Sequence, residues 1–241
     1  MRSGMKWLKA IPGLGLFFLL SGIVLPPAVA AFHSPNSIII NGTQTYIIEN
    51  CHLDMTVDIV VKDNATLIIR NATLTRQSEE IESDSWIFVK DRAKLMIEDA
   101  KITWEYPSKY AGEVSEIRLI DNSSATLINI SVRRVDIVDS SMAIIIKSSI
   151  IVVELNGSPT VTIQNSTIYE IFGYVHSVSN SVYIGQSEID SFQLDILQAP
   201  LYLQPYQTVF NITVVETIIR SYRHECSASS NSFFRNTTLG Y

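Results

Sequence analysis

The segment "KDNATLIIRNATLT", residues 62–75, is the clearest indication of the fold because the chain repeats its pattern. Two further segments align with it without gaps: "KDRAKLMIEDAKIT" from Lys90 and "IDNSSATLINISVR" from Ile120. In each segment an aspartate starts a turn, a short apolar strand follows, and an asparagine or aspartate stands eight residues later. Alternating apolar residues bounded by turn-forming residues are typical of β-strands. The sequence therefore predicts a repeated unit in which a strand joins two turns.

The turn residue that closes this unit recurs along the chain about every 23 residues. Branched or large apolar residues stand two positions before and three positions after each of these turn residues. A unit of this size cannot bury its own apolar face, whereas stacked units form a continuous core. The predicted column contains Asn50, Asn71, Asp99, Asn129, Ser148, Asn165, Gln186, Asn211 and Asn236.

This pattern resembles the right-handed parallel β-helix of the pectate-lyase-like superfamily over roughly residues 38–239. The resemblance is one of repeat pattern and includes no catalytic signature. We predict an all-β solenoid of about nine coils, in which inward asparagine side chains form a hydrogen-bonded ladder between coils. The alternative fold is a β-sandwich of two immunoglobulin-like modules. The scarcity of Asn-Gly and Asp-Gly hairpin turns disfavours that alternative.

The first thirty residues have the features of a secretory signal peptide. Three basic residues precede the apolar run "IPGLGLFFLLSGIVL", and Ala-Val-Ala at 28–30 suits signal peptidase. The run is short for a membrane anchor and contains glycine and proline, which disfavours that alternative. We predict a signal peptide over residues 1–30, a β-helix domain over 31–241, and a secreted or cell-surface location.

Charge, cysteine positions and histidine spacing argue against a nucleic-acid partner, an internal disulfide and a histidine metal site. Without the three basic residues of the signal, 15 basic and 24 acidic residues remain, a net charge of about −9 that disfavours nucleic acid. The two cysteines, Cys51 and Cys226, fall in coils that stacking would hold more than about 30 Å apart, so we predict no disulfide between them. The four histidines lack the spacing of metal ligands.

Nine Asn-x-Ser/Thr triplets could carry glycans in a secreted protein. Five of them coincide with the predicted ladder, where an inward amide would exclude a glycan. The remaining four precede the ladder at the other turn, and these are the predicted glycosylation candidates: Asn41, Asn64, Asn122 and Asn156.

Two long intervals between ladder positions contain candidate ligand-binding residues. Carboxylates in "SEEIESDS" could bind Ca²⁺, although a solvated acidic loop is the simpler interpretation. Aromatic rings in "TWEYPSKY" could stack on sugar rings, or they could pack against the core edge and the base of the loop. The candidate calcium ligands are Glu79, Glu80, Glu82 and Asp84, and the candidate sugar-binding residues are Trp104, Tyr106, Lys109 and Tyr110.

No residue is assigned a catalytic role, since the Asp-Asp and His-Gly pairs of polygalacturonase-like enzymes are absent. Two sets of charged residues could supply catalytic groups, although neither has a distinguishing spacing. The first combines arginines with carboxylates, and the second contains carboxylates alone. They are Arg133, Arg134, Asp136 and Asp139, and Glu188, Asp190 and Asp195. We expect a structural, adhesive or glycan-contacting surface protein, with a polysaccharide lyase or glycoside hydrolase as the alternative. An open end of the stack could also support end-to-end self-association.

Overall fold

The computed structural model describes residues 37–55, 57–77, 85–105, 115–175, 180–196, 210–226 and 230–239. Within these ranges the chain forms 18 β-strands and no helix, so no described helix could cross a membrane. All of the strand pairings are parallel, whereas an immunoglobulin-like sandwich is antiparallel. The prediction of an all-β parallel solenoid is confirmed.

The strands are β1 (Ser37–Ile40), β2 (Thr45–Asp54), β3 (Asp58–Val61), β4 (Thr66–Gln77), β5 (Ser85–Val89), β6 (Lys94–Glu105), β7 (Ser115–Leu119), β8 (Ser124–Asp139), β9 (Met142–Ile146), β10 (Ser149–Gly157), β11 (Thr160–Gln164), β12 (Thr167–Val175), β13 (Asn180–Gly185), β14 (Glu188–Ile196), β15 (Phe210–Val215), β16 (Ile218–Cys226), β17 (Ser230–Arg235) and β18 (Thr238–Leu239).

Each coil contributes one strand segment to each of three faces that run along the solenoid axis. Face 1 contains β1, β3, β5 and β7, followed by the last segments of β8, β10, β12, β14 and β16. Face 2 contains the first segments of β2, β4, β6 and β8, followed by β9, β11, β13, β15 and β17. Face 3 contains the segments that follow face 2 in each coil and ends at β18. Equivalent positions of successive coils therefore form columns with a spacing of about 4.8 Å.

Among the described residues, the backbone enters the left-handed region at a first corner in six coils and at a second corner in nine. Asparagine and aspartate tolerate this conformation better than other residues with a side chain, which explains why they recur in the sequence. The first corner, between faces 1 and 2, contains Gly42, Asp63, Asp91, Asp121, Asp139 and Gly157. The second corner, between faces 2 and 3, contains Asn50, Asn71, Asp99, Asn129, Lys147, Asn165, Gln186, Glu216 and Asn236.

The predicted column coincides with the second corner in seven coils and is wrong in two. Lys147, with a φ of 52°, occupies the corner assigned to Ser148. Glu216, with a φ of 51°, occupies the corner assigned to Asn211, which instead lies within β15 and pairs with Ser181. The corner depends on backbone conformation, so a residue other than asparagine can occupy it.

Buried hydroxyl groups behind the second corner explain why such residues are tolerated there. Ser166 Oγ accepts the N–H of Ser148 at 3.1 Å and donates to the Gln164 carbonyl at 2.8 Å. Ser187 Oγ accepts the N–H of Ser166 at 3.2 Å and donates to a carbonyl in the same way. These hydroxyls satisfy buried backbone groups whatever the corner side chain is. We call this column the hydroxyl ladder; it contains Ser148, Ser166, Ser187 and Thr217.

The asparagine side chains point outward, so the predicted inward orientation is wrong. Asn71 donates to Asn50 at 2.9 Å and Asn129 donates to Asp99 at 2.6 Å, as a ladder requires. All four side chains are nevertheless exposed. The left-handed corner directs its side chain to solvent, and the following residue, such as Ala72, points into the core. Burial therefore does not prevent glycosylation of the corner asparagines.

The core is filled by aliphatic residues from all three faces. Leu67 and Ile69 of face 2, Leu74 of face 3 and Ile59 of face 1 are almost completely buried, and the same columns continue through later coils. Because parallel strands repeat the same inward positions, each apolar residue packs on its equivalent in the next coil.

Candidate functional site

An open groove of about 560 Å³ runs along the second corner and the adjoining part of face 3. Its rim is the corner column from Asn71 to Asn165, and its opposite wall is the outward column from Thr73 to Thr167. The groove crosses six successive coils, from that of Cys51 onward, which corresponds to about 24 Å along the axis. A ligand lying in it would meet one corner side chain and one outward side chain at each of the five coils from Asn71 to Asn165.

The groove presents amides and hydroxyls in a regular array. Asn129 and Asn165 supply amide groups on the rim, and Ser131 and Ser149 supply hydroxyls on the wall. These side chains are exposed and come from rigid strand ends and corners, so their spacing is set by the fold. An extended polymer with hydroxyl or carboxylate groups could hydrogen-bond along this array.

Two lysines give the groove a local positive charge, although the whole chain is acidic. Lys101 and Lys147 are both exposed and line the groove, whereas Asp99 is the single carboxylate among the described residues that line it. The repeat pattern did not identify either lysine as a ligand-binding residue, because it predicts Ser148 at the corner and ligand binding only in the long intervals. The positive charge favours an anionic ligand.

The floor of the groove is apolar and contains no activated nucleophile. Ala72, Ala100 and Ile130 form most of it, and Cys51 lies at one end. Burial raises the pKa of the Cys51 thiol, which favours the protonated form over the reactive thiolate. The prediction that Cys51 is unbridged is confirmed, since it is free and lies seven strand steps, about 34 Å, from the strand of Cys226.

A second polar cluster lies beyond the groove, where face 3 meets face 1. Arg134 forms ion pairs with Asp136, at 2.8 Å, and with Glu154. Asn156 donates to Glu154 at 2.6 Å, and the Arg134 guanidinium lies 5.9 Å from the centre of the Phe172 ring. The guanidinium and its carboxylates are thus engaged with one another, and none of them lines the groove.

Glu116 in this cluster is only 1% exposed. Burial raises the pKa of Glu116 to about 7, and the Arg134 backbone N–H, which it accepts at 2.5 Å, partly offsets this effect. A carboxyl group that titrates near neutrality close to two arginines, Arg133 and Arg134, has the properties of a candidate general acid or base. The sequence offered no signal for it, because burial of Glu116 depends on tertiary packing.

The remaining catalytic ingredients named from the sequence are dispersed. Arg133 is half-buried and its charge acts on Glu116, whereas Asp139 is an exposed first-corner residue. Glu188 and Asp190 both form ion pairs with Arg220 on face 3. For Asp195 the structure describes only the backbone, within β14.

The first corner carries a column of aspartates that accept backbone hydrogen bonds. Asp91 Oδ2 accepts the N–H of Asp63 at 3.0 Å, and Asp121 Oδ2 accepts the N–H of Asp91 at 3.1 Å. These carboxylates hold adjacent coils in register. Among the described residues no group of three histidine, cysteine, aspartate or glutamate side chains could hold a metal ion.

The ligand-binding residues predicted in the long intervals lie outside the described residues, except that the backbone of Trp104 pairs with Arg76 in β4. The candidates outside are Glu79, Glu80, Glu82, Asp84, Tyr106, Lys109 and Tyr110.

The glycosylation candidates differ in exposure. Asn64 and Asn122 are exposed next to the first-corner aspartates, and Asn41 is half-buried. Asn156 is half-buried, donates to Glu154 and accepts the N–H of Tyr174 at 3.1 Å. A glycan on Asn156 would have to disturb that arrangement, so Asn64 and Asn122 are the better candidates.

Comparison with known proteins finds no matching family model, no matching curated protein and no matching solved structure.

Proposed function

We propose that this chain is a secreted or cell-surface β-helix that binds an extended, anionic glycan in the groove of the second corner without cleaving it. The observation that carries the proposal is the groove itself, which crosses six coils and is lined by amides on three of them, by hydroxyls on four, and by Lys101 and Lys147. An extended polymer suits this groove, since hydrogen-bonding and charged groups recur along it at the spacing of the coils.

A binding assay with acidic and neutral polysaccharides tests this proposal. We expect the acidic polymers to bind, and binding to weaken as salt is raised, because exposed charges are screened. Replacing both groove lysines (Lys101→Gln, Lys147→Gln) should lower affinity several-fold, since each exposed charge pair contributes about 0.2–1 kcal/mol. Lys94→Gln is the matched control, because Lys94 is exposed in the same strand as Lys101 but does not line the groove. Equal effects of the control and the groove variants would refute the assignment.

A polysaccharide lyase or glycoside hydrolase is the second candidate, favoured by the cluster around Glu116. Its carboxyl group, with a pKa of about 7, accepts the backbone N–H of Arg134, and the Arg134 guanidinium pairs with Asp136 and Glu154. An assay distinguishes the two candidates: the chain is incubated with acidic polysaccharides, with and without Ca²⁺, and new reducing ends and unsaturated products are measured. Turnover that Glu116→Gln abolishes would establish the enzyme and exclude the non-catalytic proposal.

Secretion is supported by the signal-like residues 1–30 and by exposed triplets at Asn64 and Asn122. Expression of the full chain in its host, with identification of the new N-terminus, should show cleavage after Ala30 or Ala31. Glycopeptide mapping of the same material should find Asn156 unoccupied, and retention of residue 1 in the mature protein would contradict secretion.

A further inference from the structure

The apolar core is incompletely covered at both ends of the solenoid. Among the residues that the structure describes, nine pack against the core but remain only partly buried, and these belong to the first coil, the turn after it or the last two coils. Equivalent residues in the middle coils are buried, so position along the axis accounts for the difference. The nine are Ile38, Tyr46, Ile48, Cys51, Leu53 and Val57 at one end, and Tyr222, Phe234 and Leu239 at the other.

The strands at these ends use only one edge within the described part of the chain. At one end β1 pairs with β3 and β2 pairs with β4. At the other end β17 pairs with β15, and β18 pairs with β16. The opposite edges present rows of backbone N–H and C=O groups, which are a template for another parallel strand.

We propose that a second copy of this chain covers these ends by head-to-tail stacking, so that the first coil of one copy lies on the last coil of another. In this arrangement β2 of one copy would pair with β17 of the other copy on face 2 and with its β18 on face 3. On face 1, β1 of the first copy would pair with β16 of the other. The second corner sets the register, because Asn50 of one copy takes the next position after Asn236 in the same column. The proposal is independent of glycan binding.

The inward columns match in this register. Phe234 would pack on Ile48, Tyr222 on Ile38 and Leu239 on Leu53, and each of these residues is partly buried in the single chain. Aromatic packing already runs toward this end, with Phe192 and Tyr222 stacked at 5.6 Å and Tyr222 edge-on to Phe234 at 5.4 Å. Stacking would therefore extend an existing core.

The outward columns match in charge and in hydrophobicity. Arg235 would lie beside Glu49, repeating the charge order within one chain, where Arg70 pairs with Glu98 at 3.7 Å across neighbouring strands. Phe233 and Ile47, which are 56% and 45% exposed, stand two residues before Arg235 and Glu49, and they would also lie side by side on the outer surface. Opposite charges and apolar pairs side by side on adjacent strands stabilise the pairing. The contact joins two different surfaces, so it can propagate into linear oligomers.

A cysteine cross-link tests the register. Thr237 follows the corner residue Asn236 as Cys51 follows Asn50, so the two positions would be about 4.8 Å apart in neighbouring copies, within reach of a disulfide. In a Cys226→Ser background, oxidation of Thr237→Cys should produce a ladder of covalent dimers and higher oligomers on non-reducing gels. Within one chain these positions lie at opposite ends of the stack, so the cross-link must be intermolecular.

Two control variants make the result specific. Adding Cys51→Ser to Thr237→Cys should abolish the ladder. Thr238→Cys with native Cys51 should not form it, because the side chain at 238 points outward while that of Cys51 points inward. A monomer in every variant, or equal ladders from both cysteine positions, would overturn the proposal and show that these ends are covered otherwise or associate without register.

A charge reversal provides a measurement without cross-linking. Sedimentation of the purified chain, processed as its host leaves it, should show concentration-dependent mass. Glu49→Arg or Arg235→Glu alone should weaken association about two- to fivefold, and the double variant should restore it. Thermal unfolding of each variant checks that it folds. Loss of association in the double variant as well, or mass independent of concentration in the native chain, would contradict stacking in this register.

Discussion

Replacement of Ser187 by alanine tests whether the hydroxyl ladder holds the second corner. Ser187 is 6% exposed, and its Oγ accepts the Ser166 N–H at 3.2 Å and donates to the Gly185 carbonyl at 2.8 Å. Alanine would leave the Ser166 N–H without this acceptor. The Gly185 carbonyl would keep a partner, since it also accepts the Asn165 N–H at 3.1 Å.

The expected loss therefore comes mainly from one buried donor. An orphaned buried N–H costs about 1–3 kcal/mol, so the free energy of unfolding should fall by that amount. For a chain of this size each kcal/mol lowers Tm by about 2–4 °C, so Tm should fall by about 2–12 °C. Denaturant unfolding followed by tryptophan fluorescence measures the free energy, and an unchanged m-value would show that the folded state is otherwise preserved.

Two variants isolate the hydroxyl. Ser187→Thr keeps the oxygen, and Thr217 already shows that a threonine fits this column, so the loss should be small. Ser181→Ala removes an exposed hydroxyl from the same coil and should change stability by less than about 0.5 kcal/mol. A Ser187→Ala effect as small as that of Ser181→Ala would refute the ladder, and an equal loss in Ser187→Thr would show that side-chain volume matters instead.

Three further predictions concern charge and close packing. The pKa of Glu116 is raised from 4.5 to about 7, so the folded state binds its proton more tightly than the unfolded state does. The free energy of unfolding should therefore be highest below pH 4.5 and should fall by about 3 kcal/mol as the pH rises through 7. Glu116→Gln should remove that dependence, and parallel stability–pH curves for both proteins would contradict it. Gly173→Ala should cost about 3 kcal/mol or more, because an added Cβ would lie 1.8 Å from the Leu155 carbonyl oxygen; a soluble variant with native Tm would be inconsistent with this packing. Arg220→Met should change the free energy of unfolding by less than about 1 kcal/mol, since its ion pairs are exposed, and a larger loss in denaturant titration would show that they are structural.

Local rules in the sequence were sufficient for the architecture and for most of the register. Alternating apolar residues predict strands, and Asn71, Asp99 and Asn129 mark left-handed corners because their side chains tolerate that backbone. The repeat interval then implies stacking, since no single coil buries its apolar face. The same rules did not predict Lys147 and Glu216 as corner residues. Those corners are supported by the buried hydroxyls of the following residues, and these hydroxyls act between coils.

The candidate sites depended on tertiary structure to a greater extent. The groove exists because side chains from six coils, separated by many residues in sequence, align at strand spacing, and no local pattern shows that Lys101 and Lys147 line the same groove. The pKa of Glu116 depends on packing around it, since an identical glutamate in an open strand would titrate normally. Apolar alternation and turn chemistry act within one coil and can be read from the sequence. Desolvation, side-chain direction at the corners and the meeting of distant residues arise only when the coils stack.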